Sequence, residues 1–143
     1  VILTIRKAQP DDIAWVNAQY QQVHFQLSNY SNELIVIAEA NGEKAGVGRL
    51  VTVDENTLEL GGMYVPESFR RFGVARTIVT FLVAQVTGKT LFCLPFEHLQ
   101  HFYESCGFKP VADPGRVPPK VLQKWEWCNQ VYPHKTLLLT RQV

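Results

Sequence analysis

The 143-residue sequence has one methionine, three cysteines and a formal net charge of only +1, from 14 basic and 13 acidic residues. Each shortage closes a class of protein. A charge so near zero leaves no basic face broad enough for nucleic acid or an anionic membrane, so any anion must be held locally. Cys93, Cys106 and Cys128 are odd in number and too widely spaced for a zinc knuckle or a CxxC redox pair, which points to a reducing compartment. No stretch approaches the roughly 20 apolar residues of a spanning helix. The start, VILTI, gives way to Arg6 too soon for a signal-peptide core. The expectation is a cytoplasmic protein with neither a membrane nor a nucleic acid as partner. Repeats and low-complexity linkers are also missing.

What is present is an ordinary globular composition, 46% hydrophobic and 11% aromatic, in a chain of modal domain length, read as one domain over residues 1–143. LTIRKA (Leu3–Ala8) alternates as a strand does and stops before Pro10. Asp11 and Asp12 then start a helical pattern of Ile13, Val16, Tyr20, Val23 and Leu27. ELIVIAEA (Glu33–Ala40) is a β-branched run followed by the hairpin signal Asn41-Gly42. A return strand from Lys44 to about Val53, a turn at Asp54-Glu55-Asn56 and a strand from Thr57 to Val65 complete an antiparallel meander.

After Pro66 the period changes, because Ala75, Ile78, Val79, Leu82, Val83 and Val86 mark one face of a helix ended by Gly88. Thr90–Leu94 is a short buried strand, and Leu99, Phe102, Tyr103 and Cys106 mark a helix closed by Gly107. The remainder predicts a strand at Phe108–Val111, a Pro-rich loop, a helix over Val121–Cys128 and a last strand in TLLLTRQV. This α/β order predicts a mixed, mostly antiparallel sheet. The helical crossover makes the strands ending at Val65 and Leu94 parallel neighbours.

The segment MYVPESFRRFGVARTIV (Met63–Val79) carries the chemistry. A strand ends, a short loop brings Arg70 and Arg71, and Gly73 and Ala75 stand where the chain enters a long helix. The first helical turn has about four N–H groups without internal partners and a partial positive charge. Small residues let a ligand approach that backbone closely, which makes an anion cradle suited to a pyrophosphate. The chain has neither the GK[ST] of a P-loop nor the three glycines of a dinucleotide turn.

Arg70-Arg71-Phe72-Gly73-Val74-Ala75 resembles the Q/R-x-x-G-x-G/A pattern of the GCN5-related N-acetyltransferases, the GNAT superfamily. The approach from Val65 to Arg70, the later HFYESCGF (His101–Phe108) and the element order resemble that superfamily too. The resemblance implies the GNAT fold, with its parallel strand pair splayed apart. It also implies transfer of an acetyl group from acetyl-CoA to an amine of a small molecule or peptide by direct attack. The amides from Arg70 through Arg71, Phe72, Gly73 and Val74 to Ala75 would hold the pyrophosphate, and the strand edge at Met63 and Val65 would pair with the pantetheine amides.

Aminolysis of a thioester needs a neutral amine, stabilisation of an oxyanion and a proton for the departing thiolate. N–H groups near Val65 suit the oxyanion. In the resemblance Tyr103 matches the tyrosine that protonates the thiolate; its place on an apolar stripe also suits a core aromatic. Glu59, eleven residues before Arg70, stands where some members carry a catalytic base and shares strand parity with Gly61, Met63 and Val65; a solvated strand residue and a water chain is the alternative. His24 falls in the segment that walls the acceptor site.

His98 and His101, with Glu97 and Cys106, fit no common zinc spacing, so no metal is expected. Trp125 and Trp127 read as packing residues, with the lining of an acceptor pocket as the alternative. Phe96 stands where many members have an asparagine that binds the pantetheine arm, which removes that side-chain contact. A non-catalytic acyl-CoA-binding module is the alternative function, and TLLLTRQV would pair across a homodimer if its edge were exposed.

Overall fold

The computed structural model describes residues 2–143, so Val1 of the apolar start lies outside them. Seven strands and four helices follow in the order β1 (Leu3–Lys7), α1 (Ile13–Gln22), β2 (Glu33–Ala40), β3 (Glu43–Asp54), β4 (Thr57–Tyr64), α2 (Val74–Ala84), β5 (Thr90–Cys93), α3 (Gln100–Ser105), β6 (Lys109–Pro110), α4 (Pro119–Val131) and β7 (Leu139–Gln142). Hydrogen bonding orders the sheet β1-β2-β3-β4-β5-β7-β6. The β4–β5 pair is parallel, as the crossover requires. The chain clusters into two compact units, residues up to Val51 with Gly62–Val86, and Thr52–Gly61 with Thr87–Val143.

In the first unit, β1 and β3 flank β2 antiparallel. Asn41 and Gly42, with φ of 53° and 80°, make the tight turn that the sequence predicts. Val16 and Tyr20 of α1 pack with Ile35, Ile37 and Val47. Helix α2 buries Val74, Ile78, Val79, Leu82 and Val83, each worth about 1.5–3 kcal/mol on leaving water. Its approach to β3 leaves no room for side chains there. A Cβ at Gly46 would lie 2.7 Å from Val74 Cγ1, and one at Gly48 would lie 2.6 Å from Ile78 Cγ2.

Helix α1 ends at Gln22, earlier than the apolar period through Leu27 predicts. His24 takes a positive φ of 60° and the Phe25 N–H returns to Tyr20 O at 3.0 Å, which closes the helix without a glycine. Leu27 is 57% exposed. Helix α2 likewise ends at Ala84, before Gly88, although Val86 beyond it is still buried.

In the second unit, β5 pairs with Thr57–Leu60 of β4 on one side and β7 on the other. Phe92, Val117, Val121 and Leu138 form its core beside α4. The carboxamide of Asn129 accepts from Thr136 N at 2.9 Å and donates to Thr136 O at 3.1 Å, tying α4 to the segment before β7. Strand β7 is an inner strand, since β6 pairs with Leu139 and Thr140. The open edge that strand pairing across a homodimer requires is therefore covered at Leu139 and Thr140. Among the described residues no helix is long and apolar enough to cross a membrane.

Candidate active site

The loop between β4 and α2 is the candidate anion cradle. Arg70 is extended (φ −70°, ψ 153°), whereas Arg71 and Gly73 have φ of 74° and 76°. Two left-handed residues bracketing Phe72 coil the backbone just before the helix. A Cβ on Gly73 would meet no protein atom within 4 Å, so the space before these amides is clear and the φ is what calls for glycine. The Thr77 N–H donates to Gly73 O at 3.0 Å, so the helical ladder of α2 starts from Gly73. Arg70, Arg71, Phe72 and Gly73 are exposed, Val74 is buried beneath them and Ala75 is half-buried. Arg70 Nε donates to Val65 O at 3.0 Å, tying the loop to the end of the strand before it. Exposed backbone before a helix with flanking guanidinium charge is a surface of the kind that suits a pyrophosphate.

Met63 and Val65 are half-buried on and just after the last residues of β4. Gly62, with φ of 58°, takes the strand out of extended geometry, so alternation does not carry through it. The shared parity of Glu59 with Met63 and Val65 therefore does not by itself give a common face; Met63 lies against Gly48, on the side of β3 that meets Ile78 of α2. A Cβ at Gly62 would run into the Tyr20 hydroxyl and Arg49 Nε. Arg49 is buried, donates to Glu33 Oε1 at 3.1 Å and Gln26 O at 2.9 Å, and lies 4.5 Å from the Tyr20 ring centroid. Burial raises the Tyr20 phenol well above its usual range, so it stays protonated. His24 is exposed at the end of α1 in the same unit.

The second unit holds Tyr103 and Glu59. Tyr103 is 5% exposed, with Phe102 and Phe108 edge-on at ring-centroid distances of 4.9 and 6.1 Å. Its phenol is pushed up first by burial and then by the neighbouring thiols of Cys93 and Cys106, and it is hydrogen-bonded to the Cys93 side chain. Burial likewise raises Cys93. Glu59 is 7% exposed, and Lys124 Nζ donates to both its oxygens, at 2.8 and 3.1 Å.

Glu59 pairs in register with Phe92, which faces α4, whereas Cys93 is the next residue along β5. Tyr103 and Glu59 therefore lie on opposite faces of the β4–β5 pair rather than side by side. The parallel ladder stops at Leu60↔Cys93, while β4 runs on to Tyr64. Lys124 was not a sequence candidate. The signal that would find it is its spacing, three residues after Val121 and four before Cys128 on the buried stripe of α4.

Phe96 sits among His98, Tyr132 and His134, with ring centroids 5.4–6.1 Å away. Trp125 packs as expected and donates from Nε1 to Thr136 O at 2.8 Å. Trp127 lies edge-on to Tyr132. Among the described residues no three His, Cys, Asp or Glu side chains cluster as metal ligands would.

The family description "Acetyltransferase (GNAT) domain" matches residues 31–110. The chain belongs to the GNAT acetyltransferase family. Solved structures with this fold cover nearly all of it. N-acetylglutamate synthase from Neisseria gonorrhoeae, complexed with coenzyme A and N-acetyl-glutamate, is 16% identical with a TM-score of 0.78 over 99% of this chain and 35% of its own. This GNAT chain thus spans about a third of the length of that synthase. The ribosomal-protein-S18-alanine N-acetyltransferase from Escherichia coli (16% identity, TM-score 0.74) is covered to 94%, with 99% of this chain aligned. A GNAT family acetyltransferase from Elizabethkingia anophelis with acetyl-CoA bound (16%, TM-score 0.71) is covered to 98%, again with 99% of this chain. No curated protein matches the sequence significantly.

Proposed function

We propose that the protein is an N-acetyltransferase that moves an acetyl group from acetyl-CoA to a primary amine of a small molecule or peptide by direct attack. The observation that carries this reading is the coiled, exposed loop at the start of α2, with left-handed Arg71 and Gly73 leading into the first turn of the helix. The backbone from Arg70 to Ala75 holds the pyrophosphate, and the β4 end at Met63 and Val65 pairs with the pantetheine amides. Acetyl-CoA supplies an activated thioester. Glu59 takes a proton from the amine, N–H groups near Val65 face the oxyanion, and Tyr103 gives the departing sulfur its proton. Acid and base on opposite faces of the β4–β5 pair reach one carbon only past the end of the ladder at Leu60 and Cys93. Burial raises the Tyr103 phenol, which keeps it protonated and at the same time makes it a weaker donor to a thiolate. Exposed His24 contributes to the acceptor wall.

One observation favours a second reading, a non-catalytic acyl-CoA-binding module: the Tyr103 hydroxyl is already engaged by Cys93. Calorimetry with coenzyme A together with thiol release from acetyl-CoA over an amine panel separates the two. Binding with amine-dependent release is the expected result. Binding without release with any amine supports the module, and failure to bind coenzyme A removes both readings.

A further inference from the structure

The Glu59–Lys124 pair has features that a purely structural ion pair does not need. Both carboxylate oxygens face a single ammonium, and the Lys124 side chain keeps 27% of its surface exposed against 10% for Glu59. The carboxylate also lies against bare backbone, since a Cβ on Gly61 would sit 3.3 Å from Glu59 Oε2. Gly61 is the first β4 residue beyond the parallel ladder. A buried carboxylate thus stands where β4 stops pairing with β5, under an ammonium that reaches the surface.

An amine approaching this carboxylate as its ammonium finds the place already taken. A plain cation must displace Lys124 from a carboxylate whose two oxygens it already satisfies, and so exchanges one ion pair for another without gain. An amine with its own carboxylate exchanges one ion pair for two and strands no charge. The ammonium then meets Glu59 and the carboxylate meets Lys124.

We infer that the acceptor is a zwitterionic amino acid, with Lys124 binding its carboxylate and Glu59 its ammonium. This rests on the acetyl-transfer reading above. The chemistry balances: the ammonium gives up two protons, one ending on the leaving sulfur and one on Glu59 and then solvent. The C–N bond forms as the C–S bond breaks, and no oxidant or reductant enters.

The test measures coenzyme A release from acetyl-CoA with a set of amino acids, each offered as the free acid, its amide and its decarboxylated amine. For at least one set, kcat/KM for the acid is expected to exceed that for the amide by at least tenfold. In Lys124→Met that preference falls to about twofold or less through a higher KM, and in Lys124→Arg it persists. A wild-type protein that uses the amide or decarboxylated amine as well as the acid overturns the inference without any variant having to fold. A folded Lys124→Met protein that keeps the preference also overturns it. Failure of the underlying reading looks different: release with none of the compounds, or no binding of acetyl-CoA, removes acetyl transfer and the inference together.

Discussion

Each unit of the protein buries one glutamate against one basic side chain, and the two pairs are built differently. Arg49 and Glu33 keep only 6% and 5% of their side chains exposed, and the guanidinium also serves Gln26 O and stacks over Tyr20. Every side of that pair is occupied by protein. In the Glu59–Lys124 pair one ammonium meets one carboxylate, the lysine reaches the surface, and the neighbouring backbone position is glycine. A closed pair fixes geometry, here the crowded corner where Gly62 passes Tyr20. An open pair can change partners. The same contrast separates the two groups of site residues: the first unit presents backbone in a coiled loop, whereas the second presents buried side chains.

The largest expected effect breaks the closed pair. Arg49→Met leaves Glu33 buried and unpaired and should cost about 3–5 kcal/mol of stability in urea denaturation. Lys124→Met strands Glu59 as well, but in a pair whose lysine reaches the surface, and should cost less, about 1–3 kcal/mol. Equal losses would erase the distinction. Next, the cradle depends on backbone shape. Gly73→Val at a φ of 76° should weaken coenzyme A binding by about 1–2 kcal/mol, five- to thirtyfold by calorimetry. Unchanged affinity would move the phosphate site elsewhere.

On the chemical side, Tyr103→Phe should lower kcat at least tenfold, about 1.4 kcal/mol, with little change in coenzyme A affinity. A fully active variant would make Tyr103 a core aromatic. The smallest effect concerns Asp12, a carboxylate that is neither closed nor open. Arg6 donates to it at 2.7 Å, burial opposes ionisation, and the Gln9 N–H also donates at 2.7 Å; together they bring its pKa from 3.8 to about 2. Because the folded value lies below the unfolded one, the stabilisation is full above about pH 4 and is lost as pH falls toward 2. With Arg6 one-third exposed it is worth about 1 kcal/mol. The stability gap between wild type and Asp12→Asn should therefore close between pH 5 and pH 2.

The meander was legible because β-branched runs and the Asn41-Gly42 signal are local properties. The cradle was legible for the same reason, being built from consecutive residues. What escaped was long-range or unsignalled. Helix α1 stops at a histidine in a glycine-like conformation, which composition does not announce. Lys124 meets Glu59 across 65 residues of sequence, and only the packing of α4 on β5 brings them together. Glu33 and Arg49 fall in between, for their neighbouring cross-strand positions become visible once the register pairing Ile35 with Arg49 is known.

The inner position of β7 bears on the order in which the second unit assembles. Its strand pairings join residues about fifty positions apart, such as Thr90 with Gln142, and β6 finds its sheet partner only in β7. Until these last residues arrive, β5 stands as an open edge and Lys109–Pro110 has nothing to pair with. Completion therefore waits on the most distant segment, a step expected to be slow and exposed to mispairing. Mispairing is therefore expected at the uncovered edge of β5.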